Sequence, residues 1–302
     1  MDLSLLCFQW STMVQVLANG LCLSAVYVIL ALGFGIIYFT TKNFHLAHGA
    51  VFTLGAYVGY LAVVKWQLPI LAGGIVVVVA AAGMGCLIEG FVYRPLVKRK
   101  SPPEVIIIAS LGAYIVLANL IALVAGNDTK VLRFQIESTH SLGGAHLTGI
   151  QLTQLVVGLI ISLALFLTLS KSLAGKYWRA IADNQTLGAV LGFDVSRIRW
   201  TVFAVGSALA GLAGFLLALD VGMNPHIGMQ AVITAAVICI LGGLGVFMAP
   251  VVGGVLLGLL QSAVVWYTSA AWENAVTFGV LILFLVLRPQ GVFGGRRRLE
   301  EL

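Results

Sequence analysis

Charged side chains are scarce in this chain. Asp, Glu, Lys and Arg make up only 9% of its 302 residues, against roughly 25% in soluble domains, and hydrophobic residues make up 60%. That balance excludes a soluble globular domain. Apolar runs recur from end to end at about 20 residues, the length a helix needs to cross ~30 Å of hydrocarbon. Cysteine is sparse as well. Cys7, Cys22, Cys86 and Cys239 are scattered through apolar sequence without ligand-like spacing, so they read as small core hydrophobes and not as disulfides or a metal site. The N-terminus, MDLSLLCFQW, holds no Lys or Arg and lacks the n-region of a cleaved signal peptide. Catalytic signatures are missing too. There is no G-x-x-x-x-G-K-[ST], no H-E-x-x-H and no G-x-S-x-G; the one Gly-Lys pair, Gly175-Lys176, is followed by Tyr177. No chain of Asp, Glu and His runs through the apolar stretches, as a proton-coupled carrier would usually require. If this protein moves solute uphill, another subunit supplies the energy.

What is present predicts an all-α, polytopic transmembrane helical bundle forming a single domain over residues 1–302. Spans are expected near 14–37, 46–64, 70–92, 104–125, 151–170, 201–220, 230–247, 250–268 and 273–287. The total becomes eight if 46–64 is re-entrant and ten if a longer segment is broken. Basic residues cluster at Arg94, Lys98, Arg99 and Lys100, in the loop 171–200, and at Arg288, Arg296, Arg297 and Arg298. Nine spans place all three groups on one side, which the positive-inside rule makes cytoplasmic, together with the C-terminus. Only Lys65, Lys130 and Arg133 then fall outside. Glu89 is expected to pair locally with Arg94.

The loop Lys171–Trp200 (KSLAGKYWRAIADNQTLGAVLGFDVSRIRW) is the longest well-charged interval between spans. Its middle, Tyr177 to Leu191, reads as one short helix, with Gly175 before it and Gly192 as its stop. A helix lying flat in the lipid interface would look similar. Ala180, Ala182, Gly188 and Ala189 are too small to anchor well in lipid, and they suit close packing against a protein groove. The outer loop 126–150 mixes charge, Thr, Ile and a Gly-Gly pair, and reads as a short β-like excursion. It serves either a periplasmic partner or simple connection. His140 and His146 within it lack the companions a metal site needs.

Glycine is abundant inside the spans. Gly55/Gly59 and Gly254/Gly258 form GxxxG pairs, and Ser207, Ala210, Gly211 and Gly214 extend a small face of the kind that lets helices approach closely in lipid. The run LGGLGVFMAPVVGG at 241–254, which includes Gly242, Gly243 and Pro250, predicts a bend or break. Irregular backbone at membrane depth is tolerated where it is buried in protein or lines a cavity. A second interruption is FTTKNFHLAHGAVFTLGAY at 39–57. His45 and His48 would share a face there, with His48 either bonding a neighbouring backbone at a helix end or lining a translocation path.

Four stretches carry a resemblance to a known family. They are HLAHGAVFTLGAY at 45–57, EGFVYRPLVKRK at 89–100, GKYWRAIADNQTLGAVLGFD at 175–194, and the pairing of LGGLG at 241–245 with RPQGVFG at 288–294. In this order they resemble the permease subunits of bacterial ABC importers for branched-chain amino acids (LivH-type), including the urea and amide relatives. The resemblance implies that the 171–200 loop is a coupling loop docking on a cytoplasmic ATP-binding subunit through Arg179, Ala180, Ala182, Asp183, Ala189 and Gly192. It implies a substrate path near His45, His48, Gly49, Ala50, Gly242 and Gly243. It further implies a second homologous permease subunit, a periplasmic substrate-binding protein, the bacterial inner membrane as location, and no cofactor in this chain, ATP being bound by the partner. The sequence departs from the pattern at His45, where the family commonly has Asn, and at Ala50, where it commonly has Glu. It departs again at VFMAP, where S-x-P-G-A is common. The loss of the glutamate leaves the cargo open between branched-chain amino acids and urea or short amides. A stand-alone channel or a secondary carrier is the rival from another class, and neither needs a coupling helix.

Overall fold

The computed structural model describes residues 3–132, 139–243 and 245–293. In chain order the elements are α1 (Leu3–Thr41), α2 (His48–Tyr60) continued by a π turn at Leu61–Lys65, and α3 (Ile70–Ile88) continued by a π turn at Glu89–Tyr93 into α4 (Arg94–Lys98). Then come α5 (Pro103–Ala125), the strands β1 (Thr139–Leu142) and β2 (Ala145–Thr148), α6 (Gly149–Lys171), α7 (Leu173–Asp183) and α8 (Gln185–Val190). The last are α9 (Val195–Val221), α10 (Ile227–Gly242), α11 (Ala249–Tyr267), a 3-10 turn at Ala270–Trp272 and α12 (Glu273–Leu287). Arg133, Arg296, Arg297 and Arg298, and the side chain of Cys7, lie outside the described residues.

Among the described residues, seven helical segments are long and apolar enough to cross a membrane: Trp10–Thr41, Ile70–Lys98, Pro103–Ala125, Gly149–Lys171, Val195–Val221, Ala249–Tyr267 and Ala270–Leu287. The other two predicted spans are short helices, α2 with 13 residues before its π turn and α10 with 16. These two are among the most buried helices of the bundle. In α2 only Leu54, Val58 and Tyr60 escape full burial. By contrast α3, α5, α6 and α12 leave most of their apolar side chains at least partly exposed, which costs nothing where the surroundings are as apolar as leucine.

The long post is α1, 39 residues or about 58 Å at 1.5 Å per residue. Against it pack α11, α9, α6 and α10, while α9 also packs on α2 and α3. Small residues sit at these crossings. A Cβ on Gly55 would lie 2.2 Å from the Gly211 carbonyl oxygen, and Gly254 and Gly258 meet Val28 and Ser24 of α1. A mutual backbone approach joins the two short helices where they begin. A Cβ on Gly49 would lie 2.2 Å from the Gly228 carbonyl oxygen, and one on Gly228 would lie 2.1 Å from that of Gly49.

At one end of the bundle, β1 and β2 pair antiparallel with Thr139 opposite Thr148. Gly143 and Gly144, at φ 60° and 96°, make the two-residue turn that suits the twist of a hairpin. The Gln15 side chain donates to the His146 carbonyl at 3.0 Å and accepts from the His146 amide at 2.7 Å, fastening the hairpin to α1. A bridge between Lys130 and Met223 closes the same end. The expected β-like excursion at 126–150 is this hairpin and bridge. The α6 start carries a capping box between Thr148 and Gln151. The opposite, basic end gathers α4, the α7–α8 pair and the turns at 42–47, 245–248 and 288–293.

Candidate functional site

The predicted helix over Tyr177–Leu191 is two helices. Ser172 caps α7, its hydroxyl accepting from the Gly175 amide at 3.0 Å, so Gly175 lies inside the first turn and not before it. The break falls at Asn184, whose backbone is extended at φ −152°, ψ 105°. Its side chain accepts from the Leu187 amide at 2.9 Å and starts α8. Asn is a strong N-cap and a poor helix interior residue for the same reason: its short side chain competes for backbone amides. Gly192, at φ +86°, ends the pair as expected. A Cβ there would meet nothing, so the requirement is conformational alone.

The pair has two faces. Gly175, Trp178, Ile181 and Ala182 are buried within the chain, and the Trp178 indole donates to Thr201 at 3.3 Å. Gly188 is packed on Ile181. The smallness of Ala182 and Gly188 is therefore spent inside the protein, contrary to the expectation that these residues face an outside groove. Ala180 is half-buried, while Arg179, Asp183, Ala189 and Gly192 are exposed. Beside them stand Leu187, Val190 and Leu191 at 55%, 79% and 65% exposure, an apolar patch on an otherwise charged end. Sequence reading passed over this patch, although its i, i+3, i+4 spacing in a polar loop was there to be seen. A cleft of about 620 Å³ separates α7 from the 245–248 turn, bordered by Lys42, Arg179, Asp183 and Phe247.

A long-range side-chain contact ties α8 to the end of α1. Gln185 Nε2 donates to the Thr40 carbonyl at 2.7 Å, across 145 residues. Thr40 sits in the last turn of α1, and the chain then turns through residues 42–47 into α2. His45 and His48 are both completely buried there, their ring centroids 5.6 Å apart. His48 Nε2 donates to the Leu30 carbonyl of α1 at 3.3 Å, the neighbouring-backbone bond foreseen for it. His45 Nδ1 lies 2.7 Å from the Tyr93 hydroxyl, which donates to Ser110 Oγ at 2.6 Å. The Ala47 amide donates to the same Ser110 oxygen at 3.1 Å. His45 Nε2 and His48 Nδ1 are buried with no partner among the described residues.

Phe203 links this turn to a buried ion pair. Its ring centroid lies 5.2 Å from those of His45 and Tyr93, and the Arg199 guanidinium lies 6.0 Å from the ring. Arg199 grips Glu89 through two bonds, Nε at 2.7 Å and the second guanidinium nitrogen at 3.0 Å. The expected local pair between Glu89 and Arg94 is thus replaced by one 110 residues away in sequence. The two side chains are 2% and 8% exposed, and a π turn places Glu89 against the base of α9.

The remaining predicted path residues separate into two places. Gly49 and Ala50 adjoin the histidines; Ala50 packs with Tyr114 and forms the inner end of an apolar groove of about 430 Å³ between α2 and α5. Gly242 and Gly243 lie at the basic end of α10, against Ala249 and Gly291. The Val292 amide donates to the Leu241 carbonyl at 2.9 Å, and the Phe293 amide donates to that of Gly242 at 3.0 Å. The late glycine run and the RPQGVF segment, read as paired in the sequence, therefore touch. The helix break expected in 241–254 lies between Gly242 and Ala249. Among the described residues, no three of His, Cys, Asp and Glu come together as a metal site would need.

Comparison with known proteins places this arrangement. A family profile described as branched-chain amino acid transport system / permease component matches residues 16–285. The high-affinity branched-chain amino acid transport system permease protein LivH of Escherichia coli (strain K12) is 29% identical over 301 residues, covering 95% of this chain and 97% of the relative. The autoinducer 2 import system permease protein LsrC of Enterobacter sp. (strain 638) is 25% identical over 268 residues, covering 86% of this chain and 74% of the relative. Among solved structures, PsaBC from Streptococcus pneumoniae in complex with Fab aligns with a TM-score of 0.53 at 13% identity, covering 91% of this chain and 92% of that one.

Proposed function

The chain belongs to the branched-chain amino acid transport permease family, a multi-pass membrane protein, and from that premise we propose that it is the membrane subunit of an ATP-driven importer of branched-chain amino acids. The observation that carries the coupling part is the α7–α8 pair. It is anchored by Trp178, Ile181 and Ala182 and offers Leu187, Val190 and Leu191 to a partner. On this reading the basic end and the C-terminus face the cytoplasm. A cytoplasmic ATP-binding subunit docks on the apolar patch and its flanking Arg179, Asp183, Ala189 and Gly192, with Ala180 at the edge. Ala182 acts from beneath, by seating α7. A second homologous permease completes the membrane part, and a periplasmic binding protein delivers cargo to the hairpin end.

The substrate path is proposed to run past the start of α2. His45 Nε2 and His48 Nδ1 are acceptors without a partner among the described residues, suited to an ammonium group, and Gly49–Ala50 form the first turn of α2 beside them. Opening the Gly49–Gly228 crossing would expose this turn, with Gly242 and Gly243 flexing at the basic end of α10. Branched-chain amino acids are favoured because LivH, a permease for them, is the nearer of the two compared relatives. LsrC, a permease for autoinducer 2 import, is a relative named for another cargo; urea and short amides are kept as the second reading because Ala50 stands where the resembling family commonly has Glu.

Gentle detergent purification from the native membrane, followed by mass spectrometry, is expected to recover ATP-binding subunits and a second permease. Repeated recovery alone, under conditions that keep a known importer intact, would favour a channel or carrier. The sharper test is the double substitution Leu187→Asp/Ala189→Glu. It charges the exposed patch without touching the positive-φ Gly192, so membrane insertion should persist while ATP-coupled leucine uptake disappears. Normal uptake would remove the coupling assignment. Ala50→Glu should shift the uptake profile among amino acids, urea and amides; an unchanged profile would take this turn off the path.

A further inference from the structure

The groove between α2 and α5 has a polarity that the transport reading does not use. Its α2 wall is Leu54, Val58 and Leu61, leading to Lys65. These positions are spaced four, three and four apart and so share one helical face. Its α5 wall is Leu117, Ile121 and Val124, leading to Lys130. No Asp or Glu is among the lining residues. The Lys130 ammonium sits 5.4 Å from the centre of the Tyr60 ring, which holds it at the groove mouth. Trp66, next to Lys65 and 59% exposed, marks the level of the lipid headgroups, where tryptophan is enriched. From Lys65 down to Leu54 is about 16 Å of helix, close to half of the ~30 Å hydrocarbon layer. Among the described residues the Lys and Arg side chains near the hairpin end are Lys65 and Lys130, and both line this one groove.

We propose that the groove between α2 and α5 binds an anionic phospholipid of the leaflet at the hairpin end. The phosphate lies between Lys65 and Lys130, and one acyl chain runs along Leu54, Val58 and Leu61. A plain lipid-facing surface would supply the apolar walls but not two cations at the headgroup level. A protein partner covering the same face would leave both ammonium groups in need of carboxylates.

The test uses the full chain, purified in mild detergent with whatever subunits accompany it. Phosphatidylglycerol and phosphatidylethanolamine with identical acyl chains are added in equal amounts, and retained lipid is read by native mass spectrometry. Phosphatidylglycerol should be retained about tenfold over phosphatidylethanolamine, since each lysine near an anionic headgroup contributes a few-fold. Lys65→Gln/Lys130→Gln should abolish that preference. Leu120→Trp, at another groove-lining position that is half exposed, should reduce retention of both lipids. Glycerol 1-phosphate in excess, a headgroup without a chain, should leave the bound lipid in place. Equal retention of the two lipids by the unsubstituted protein would overturn the proposal, as would a preference that survives both lysine substitutions. So would displacement by glycerol 1-phosphate, or a photo-crosslinker at Leu120 that labels a second protein subunit in place of lipid.

Discussion

At the start of α2, Gly49 meets Gly228 backbone to backbone; at α8 and just past its end, Ala189 is exposed and Gly192 has nothing within reach of a Cβ. Both regions are interrupted helices rich in small residues, and their sequences read alike. In the first, small size is imposed by a neighbour inside the chain. In the second it is split: Gly188 and Ala182 pack inward, Gly192 supplies a positive φ, and only Ala189 and its apolar neighbours remain for a partner. The comparison teaches that a small residue reports a close approach or an unusual backbone, and says nothing by itself about whose atoms come close. The two regions are also joined, through Gln185 and the end of α1, so a displacement of the exposed pair has a short mechanical route to the buried turn.

The largest effect expected from breaking this comparison is at Gly49. Gly49→Leu forces a side chain into the Gly228 carbonyl, 2.2 Å from where the Cβ would be. Since the obstacle is backbone that cannot rotate away, no folded monodisperse protein should be recovered by size-exclusion chromatography. Recovery of folded protein would show that α2 and α10 separate easily. Next comes the ion pair that braces the buried side. Arg199→Met strands a buried carboxylate and should cost about 3–5 kcal/mol in a detergent unfolding measurement, while Glu89→Met/Arg199→Met should recover most of that loss. A double variant no better than the single one would show that the pair supplies net stability beyond mutual neutralisation. The smallest effect belongs to the connecting bond. Gln185→Leu should cost only about 1 kcal/mol of stability, yet it should lower transport per ATP hydrolysed in proteoliposomes with ATPase binding intact. An unchanged ratio would mean the elbow communicates by another route.

Much of the fold was legible because the membrane makes the rules simple. Runs of about 20 apolar residues must be helices, and seven of nine predicted spans are full-length helices close to where hydropathy placed them. The two short ones were legible as apolar segments but not as short, since a buried helix and a lipid-facing helix are both apolar all round. Local chemistry was readable where it acts within a few residues, as at Gly192, at the Gly143–Gly144 turn and in the helix break after Gly242. It failed at Asn184, where one cap divides a helix that periodicity ran through. It failed again at Glu89, where the nearest cation in sequence was Arg94 and the one that matters is Arg199.

By itself, then, the sequence determined an all-α membrane bundle, its basic end, its interrupted segments and its family, because hydrophobic length, charge bias and turn chemistry are local properties. The tertiary structure alone decided which small residues meet backbone and which stay open, which cation neutralises Glu89, and that Gln185 reaches Thr40. Those are facts about residues tens to hundreds of positions apart. In a solvent that offers no hydrogen bonds, such pairings are set by which helices cross and how closely, and no single stretch of chain carries that information.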